Sequence, residues 1–125
     1  MCRSLLIVED QPSICLGLSE FFRTRGFQVD CAPEVGQAAA LLETRQYGVV
    51  IADLSLEGHQ NTDGLVLAAW LRRDRPETRV VILTAYGTPE AVQAAERLGV
   101  DAFLHKPASL PDLARVVDRL LQPAG

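Results

Sequence analysis

Four short apolar runs stand out along the chain because none of them alternates with polar residues. They cover residues 5–8, 49–52, 80–83 and 102–104. The first three are rich in β-branched residues, a pattern typical of strands that are buried on both faces of a parallel sheet. A fifth segment, residues 28–31, alternates polar and apolar side chains and predicts an edge strand.

The segments between these runs carry apolar residues at helical spacing. They predict five helices, centred on residues 14–22, 35–42, 65–71, 91–98 and 113–121. Gly26 is expected to end the first helix, and Ser109 is expected to cap the last one, with Asp112 at its third position. Strand and helix therefore alternate five times. We predict an α/β fold, a doubly wound five-stranded parallel sheet with helices on both faces.

Length and composition predict one domain. The chain has 125 residues, of which 48% are hydrophobic, and we place the domain at residues 1–121 and a tail or linker start at 122–125. No apolar run is long enough to cross a bilayer, and the first run meets acidic residues at once, unlike a signal peptide. The expected location is cytoplasmic, without membrane contact. A net charge of −4 argues against direct nucleic-acid binding by this domain.

The chain contains three cysteines, Cys2, Cys15 and Cys31, without the CxxC spacing of a metal site. In a cytoplasmic chain the odd number predicts reduced, mostly buried thiols. We therefore expect no chemical role for them.

The residues after the strands carry the candidate chemistry, since ligands of a doubly wound sheet bind beyond the carboxyl ends of its strands. Glu9 and Asp10 follow the first run and Asp53 follows residues 49–52, while Thr84 and Lys106 follow the last two strands. With strand order 2-1-3-4-5, the three carboxylates share one pocket. Oxygen ligands of this kind suit Mg²⁺ or Mn²⁺. A hydroxyl and an ammonium nearby complete a phosphoryl-transfer site with an aspartate as acceptor.

Four segments that contain these residues resemble the receiver domain of two-component response regulators, and the resemblance runs over about residues 3–121. The segments are Leu6-Ile7-Val8-Glu9-Asp10, Ile51-Ala52-Asp53-Leu54, Leu83-Thr84-Ala85-Tyr86-Gly87 and Phe103-Leu104-His105-Lys106-Pro107. The resemblance implies a flavodoxin-like (βα)5 fold with strand order 2-1-3-4-5. It also implies a signalling phosphoprotein rather than an enzyme, one that promotes only its own phosphoryl transfer and autodephosphorylation.

By this resemblance, Asp53 is the residue that a histidine kinase or a histidine phosphotransfer protein phosphorylates. The metal ligands would be Glu9, Asp10, Asp53 and the backbone carbonyl of Ser55. Hydrolysis of the phosphoryl group would be tuned by Ser55 and Tyr86.

The resemblance also implies a switch. Phosphoryl binding and switching would fall to Thr84, Ala85, Lys106 and Phe103, although core packing alone is an equally good interpretation of Phe103. The Lys106–Pro107 bond is often cis in this family. The readout surface would be the fourth helix, the fifth strand and the fifth helix, which can serve a homodimer or an effector domain.

One departure from the family pattern lies beside the predicted site. Position 57 is Glu57 where the family usually has a proline, and the Asp63-Gly64 pair comes about three residues late. The longer loop, residues 57–62, is expected to change the local geometry and to bear on kinase recognition. The chain nevertheless retains all five residues of the predicted site, namely Glu9, Asp10, Asp53, Thr84 and Lys106. Their retention argues against a relative of the family that is not phosphorylated.

Three other classes are alternatives. A flavodoxin-like or dinucleotide-binding enzyme would need a glycine- or hydroxyl-rich phosphate loop after the first strand, where this chain has Glu9-Asp10-Gln11-Pro12-Ser13. A phosphatase of the haloacid dehalogenase type would need an Asp-x-Asp there. A pseudo-receiver that acts as an interaction module without phosphorylation would be favoured by a changed Asp53 or a missing Lys106.

Overall fold

The computed structural model describes residues 3–53, 63–84, 89–106 and 108–122. Strands and helices alternate five times within them, as the sequence pattern predicts. In chain order the elements are β1 (Ser4–Val8), α1 (Pro12–Thr24), β2 (Gln28–Ala32), α2 (Val35–Thr44), β3 (Val49–Asp53), α3 (Asp63–Asp74), β4 (Arg79–Thr84), α4 (Pro89–Leu98), β5 (Ala102–His105) and α5 (Leu110–Leu121). Every strand is one or two residues longer than the predicted run, and as a result β3 includes Asp53 and β4 includes Thr84.

All five strands are parallel and lie in the order β2-β1-β3-β4-β5, which confirms the predicted topology. The register aligns their carboxyl ends. Val8 pairs with Ala52 across β1 and β3, and Thr84 pairs with His105 across β4 and β5. Residues that follow these strands therefore meet along one edge of the sheet.

Both faces of the sheet are buried, which explains the uninterrupted apolar runs. In β1, Leu5 and Ile7 pack on one face with α1 and α5, while Leu6 and Val8 pack on the other face with α2 and α3. Each of these four side chains is at most 1% exposed. A polar side chain at any of these positions would lose its hydration, because both faces of the sheet are buried. The sequence of β1 is therefore apolar throughout and does not alternate between polar and apolar residues.

Local signals set the helix ends. The Ser109 side chain accepts a hydrogen bond of 3.1 Å from the Asp112 N–H and so caps α5 as predicted. Gly26 has a φ of 90°, in the left-handed region that glycine adopts without a steric penalty, and the chain leaves α1 there. Each helix in the described ranges is too short or too polar to span a membrane.

The prediction of three reduced cysteines is wrong for two of them. Cys15 in α1 and Cys31 in β2 form a disulfide, with their Cα atoms 6.5 Å apart. The two residues are 16 positions apart, and they meet because α1 packs beside the edge strand β2, which sequence spacing alone does not reveal. Cys2 lies outside the described residues.

Candidate functional site

Glu9, Asp10 and Asp53 lie together at the carboxyl end of the sheet. The pairing of Val8 with Ala52 places the residue after β1 beside the last residue of β3. One carboxylate oxygen from each of the three lies within 4.8 Å of the others. Glu9 and Asp53 are 3% and 5% exposed, whereas Asp10 is half-buried. Three carboxylates that are so close and so poorly hydrated repel one another.

The Lys106 ammonium lies against these carboxylates. Its Nζ is 2.6 Å from Asp53 Oδ2 and 3.5 Å from Glu9 Oε1. The backbone N–H of Lys106 donates a 2.7 Å hydrogen bond to the Thr84 carbonyl, which fixes the residue after β5 to the end of β4. From there the long side chain reaches β3, two strands away. The structure thus brings Lys106 and the three carboxylates together at one site, and the roles assigned to them stay predictions.

Glu9 is poorly compensated. Its Oε2 atom is buried and has no hydrogen-bond partner among the described residues. Burial, followed by a hydrogen bond with Asp53 and the charge of Asp53, raises the pKa of Glu9 from 4.5 to about 8, while Lys106 opposes this rise. Near neutral pH and without a metal, the Glu9–Asp53 pair therefore holds a proton, chiefly on Glu9.

Lys106 keeps its charge at this site. Burial disfavours the ammonium, but the hydrogen bond and the charge of Asp53, with a smaller contribution from Glu9, outweigh burial and raise the pKa of Lys106 above its ordinary value. A permanent positive charge therefore lies directly beside the Asp53 carboxylate.

The three carboxylates fit a divalent cation. Within the described residues the cluster offers oxygen atoms alone, the ligands that Mg²⁺ and Mn²⁺ prefer. A cation would give the buried Oε2 of Glu9 the partner that the described residues do not supply, and it would offset the repulsion among the three groups. The acidic cluster can therefore hold a hard divalent metal.

Thr84 and Phe103 lie on the strands that lead to this site. Thr84 ends β4 and is 2% exposed, one strand away from Asp53. Phe103 in β5 is half-buried, packs against the core on the α2–α3 face and has its ring 5.4 Å from that of His105. Core packing thus accounts for part of the Phe103 position, and the switch roles of both residues stay predictions.

Several predicted positions lie outside the described residues. These are Ser55, Ala85, Tyr86, Pro107 with its peptide bond to Lys106, and the loop of residues 57–62. The roles assigned to them by resemblance stay predictions.

The sequence does not predict a groove that adjoins the carboxylates. An open cavity of about 360 Å³ is lined by Glu9 and Asp10 together with Cys15, Leu16 and Cys31 of α1 and β2. Leu16 is 57% exposed there, which is unusual for a large apolar side chain. The sequence does place Cys31 in the predicted edge strand, next to the helix that follows Asp10. This position was the available indication that Cys31 could line a groove near the carboxylates.

Comparison with known families gives the site its context. The family model described as the response regulator receiver domain matches residues 5–118. The chain belongs to this family. The receiver-domain resemblance seen in the sequence is thereby confirmed, and the chain is a signalling module of two-component systems.

A curated relative illustrates how much of a longer regulator this chain represents. The photosynthetic apparatus regulatory protein RegA of Rhodobacter capsulatus is 35% identical over 115 residues. The match covers 92% of this chain and 61% of RegA. The chain thus spans about three fifths of the length of that relative.

Solved structures agree with the fold. The signal receiver domain of an HD domain-containing protein from Pseudomonas fluorescens has a TM-score of 0.87 at 24% identity, covering 97% of this chain and 95% of that one. A response regulator from Burkholderia pseudomallei has a TM-score of 0.83 at 25% identity, covering 92% and 66%. That second structure contains a phosphorylated aspartic acid, a calcium ion and citrate.

Proposed function

We propose that this receiver domain, which we place at residues 1–121, takes a phosphoryl group on Asp53 from the phosphohistidine of a histidine kinase or a histidine phosphotransfer protein. The observation that carries the proposal is the 2.6 Å contact between Asp53 Oδ2 and the Lys106 ammonium beside two further carboxylates. An Asp53 oxygen attacks the phosphorus, the phosphorus–nitrogen bond breaks, and the imidazole leaves with that electron pair. Lys106 balances the negative charge that the acceptor carries.

Glu9, Asp10 and Asp53 would hold Mg²⁺ or Mn²⁺, with the Ser55 carbonyl as the further ligand that the family resemblance implies. When bound, the cation would neutralise charge between the acceptor carboxylate and the incoming phosphoryl oxygens. The Burkholderia pseudomallei relative supports this arrangement, since its structure holds a calcium ion and a phosphorylated aspartic acid. Ser55 and Tyr86 would tune the later hydrolysis.

Thr84 and Lys106 would carry the signal to the surface formed by α4, β5 and α5, with Ala85 and Phe103 beside them. The hydrogen bond from the Lys106 N–H to the Thr84 carbonyl couples the end of β5 to the end of β4. A phosphoryl group that attracts the Thr84 hydroxyl and the Lys106 ammonium therefore favours one of two arrangements of β5. The surface then binds a second copy of the domain or an effector domain.

Intact-protein mass after incubation with Mg²⁺ and acetyl phosphate tests the acceptor. We expect the wild type to gain one phosphoryl group, EDTA to abolish the gain, and Asp53→Asn to show none. A gain in both proteins would mean that the acceptor is another residue. No gain from any donor, phosphohistidine proteins included, would favour the pseudo-receiver alternative.

Hydrogen exchange on the same samples tests the switch. Phosphorylation of the wild type is expected to change amide exchange in α4, β5 and α5. Thr84→Ala should be phosphorylated to a similar extent without that change, because it lacks the hydroxyl that the phosphoryl group attracts, and Thr84→Ser should behave like the wild type. Equal responses of Thr84→Ala and the wild type would contradict the role of Thr84.

A further inference from the structure

The two cysteine residues of the Cys15–Cys31 disulfide differ in exposure. Cys15 is 8% exposed, whereas Cys31 is exposed on the edge strand β2 and lines the open groove beside α1. A Cα separation of 6.5 Å is within the range that a disulfide spans without backbone movement. A thiolate can therefore approach the bond at Cys31 while the domain stays folded.

The surroundings also suit the open form of the pair. Ser19 Oγ is 2.8 Å from Cys31 Sγ, and the Cys15 carbonyl oxygen is 3.7 Å from the same sulfur. When the disulfide is open, the Cys31 thiol can donate a hydrogen bond to either of these oxygen atoms. Ser19 is itself 2% exposed and is held by a 2.7 Å hydrogen bond to the Cys15 carbonyl. The site thus offers the Cys31 thiol hydrogen-bond acceptors once the disulfide is open.

The bond ties together two elements that frame Glu9. Cys15 belongs to the beginning of α1, and Cys31 pairs with Ile7 of β1 in the sheet. The next residue, Ala32, accepts a 3.0 Å hydrogen bond from the Glu9 N–H. Opening the disulfide removes the covalent tie between α1 and the strand that holds the Glu9 backbone.

We propose that Cys15 and Cys31 are a reversible redox pair, which a dithiol opens by attack at Cys31 and which thereby controls how firmly α1 and β2 hold Glu9. The proposal goes beyond phosphoryl transfer and does not require it. It gives this signalling domain a second input, the thiol redox state of its surroundings.

The chemistry balances with a dithiol as the reductant. One thiolate of the dithiol attacks Cys31 Sγ, the bond to Cys15 breaks, and Cys15 leaves as a thiolate that takes a proton. The second thiol of the reductant then attacks the mixed disulfide and releases Cys31 as a thiol, so two electrons pass to the pair. Hydrogen peroxide reverses the change: one thiolate attacks a peroxide oxygen, the O–O bond breaks and hydroxide leaves, which makes a sulfenic acid. The other thiol then attacks the sulfenic sulfur, the S–S bond forms, and the S–O bond breaks with loss of water.

Alkylation before and after reduction tests the pair in the full chain, with Cys2→Ser as the background so that two cysteines remain. In the air-oxidised protein we expect no label on Cys15 or Cys31, and after dithiothreitol in native buffer we expect both to be labelled. The reduction rate in native buffer should be comparable to the rate in denaturant, as for labile and accessible disulfides. Label on both residues before reduction, or reduction in denaturant alone, would overturn the proposal.

Hydrogen exchange by NMR tests the consequence. Reduction should raise the exchange rates of the Glu9 amide and of amides in α1 and β2, leave those in β4 unchanged, and lower the melting temperature by roughly 10 °C, as expected for a loop of this size. Cys31→Ser should match the reduced wild type and should not respond to dithiothreitol. Unchanged exchange at Glu9 and in α1 after complete reduction would overturn the claim that the pair controls this region.

Discussion

Two carboxylates at opposite ends of the sheet, Asp101 and Glu9, have opposite surroundings. Asp101 precedes β5 at the amino end, and its side chain is 14% exposed. The Val80 N–H donates a 2.8 Å hydrogen bond to Asp101 Oδ2, and guanidinium nitrogens of Arg72 and Arg79 lie 3.6 Å and 3.5 Å from its oxygens. Each oxygen of Asp101 thus has a positively charged neighbour.

Glu9 is more deeply buried, with a side chain 2% exposed, yet it has less support. It shares Lys106 with Asp53, and the carboxylates of both Asp53 and Asp10 lie beside it. Its Oε2 has no hydrogen-bond partner in the described parts of the chain. The amino end of the sheet therefore uses charge for stability, whereas the carboxyl end keeps a repulsion that a cation relieves.

The largest effect on stability is expected at the amino end, from Asp101→Ala. Losing a largely buried carboxylate and leaving two arginines without it should lower the free energy of unfolding by about 3 kcal/mol. Urea titration measures this loss, and Mg²⁺ affinity should not change. Asp118→Ala is the matched control, because its ion pair with Arg25 is about 40% exposed and should contribute less than about 1 kcal/mol. Equal losses in the two variants would contradict the comparison.

A smaller effect of opposite sign is expected from Glu9→Gln in metal-free protein. The pKa of Glu9 is raised from 4.5 to about 8 on folding, so the folded domain binds the Glu9 proton more tightly than the unfolded chain does. This difference stabilises the fold fully below pH 4.5, and the stabilisation is lost as pH rises through 8. Glutamine stays neutral, and the variant should exceed the wild type in stability above pH 8 by more than about 1.4 kcal/mol, the value of one pKa unit. Urea titrations at pH 5 and pH 9 measure the difference. A wild type that is equally stable at both values would contradict the pKa of Glu9.

The smallest effect is expected from Tyr47→Phe, also away from the acidic cluster. The Tyr47 hydroxyl donates a 2.6 Å hydrogen bond to Asp30 Oδ2, and Arg45 donates a second one of 2.9 Å to the same oxygen. In the variant Asp30 would keep the hydrogen bond from Arg45. Losing one hydrogen bond whose acceptor retains a partner should cost about 1 kcal/mol, read from the urea midpoint. A change in Mg²⁺ affinity in this variant would show that the two ends are not independent.

The fold was predictable because its signals are local and redundant. Runs such as residues 49–52, buried on both faces, have few compatible structures, and Ser109 and Gly26 mark helix ends with their own chemistry. The meeting of Asp53 with Glu9 followed from the strand order. The contact of Lys106 with Asp53, two strands away, was predictable because the lysine side chain is long.

Other features depend on three-dimensional detail that sequence patterns do not encode. The unsatisfied Oε2 of Glu9 and its raised pKa arise from burial depth and from the rotamers of neighbouring groups. The Cys15–Cys31 disulfide depends on how α1 lies against β2. In a chain expected to be reduced, the spacing of these cysteines gave no reason to pair them.

The central claim, that the carboxyl end is an acidic site completed by a cation, is tested most directly by calorimetric titration of Mg²⁺ into metal-free protein near pH 7. Repeating it in buffers with different ionisation enthalpies counts the protons released. We expect one bound ion and the release of close to one proton, because Glu9 is protonated before the metal binds. Asp10→Asn should weaken binding at least about tenfold. Binding without proton release, or with the affinity unchanged in Asp10→Asn, would contradict the account.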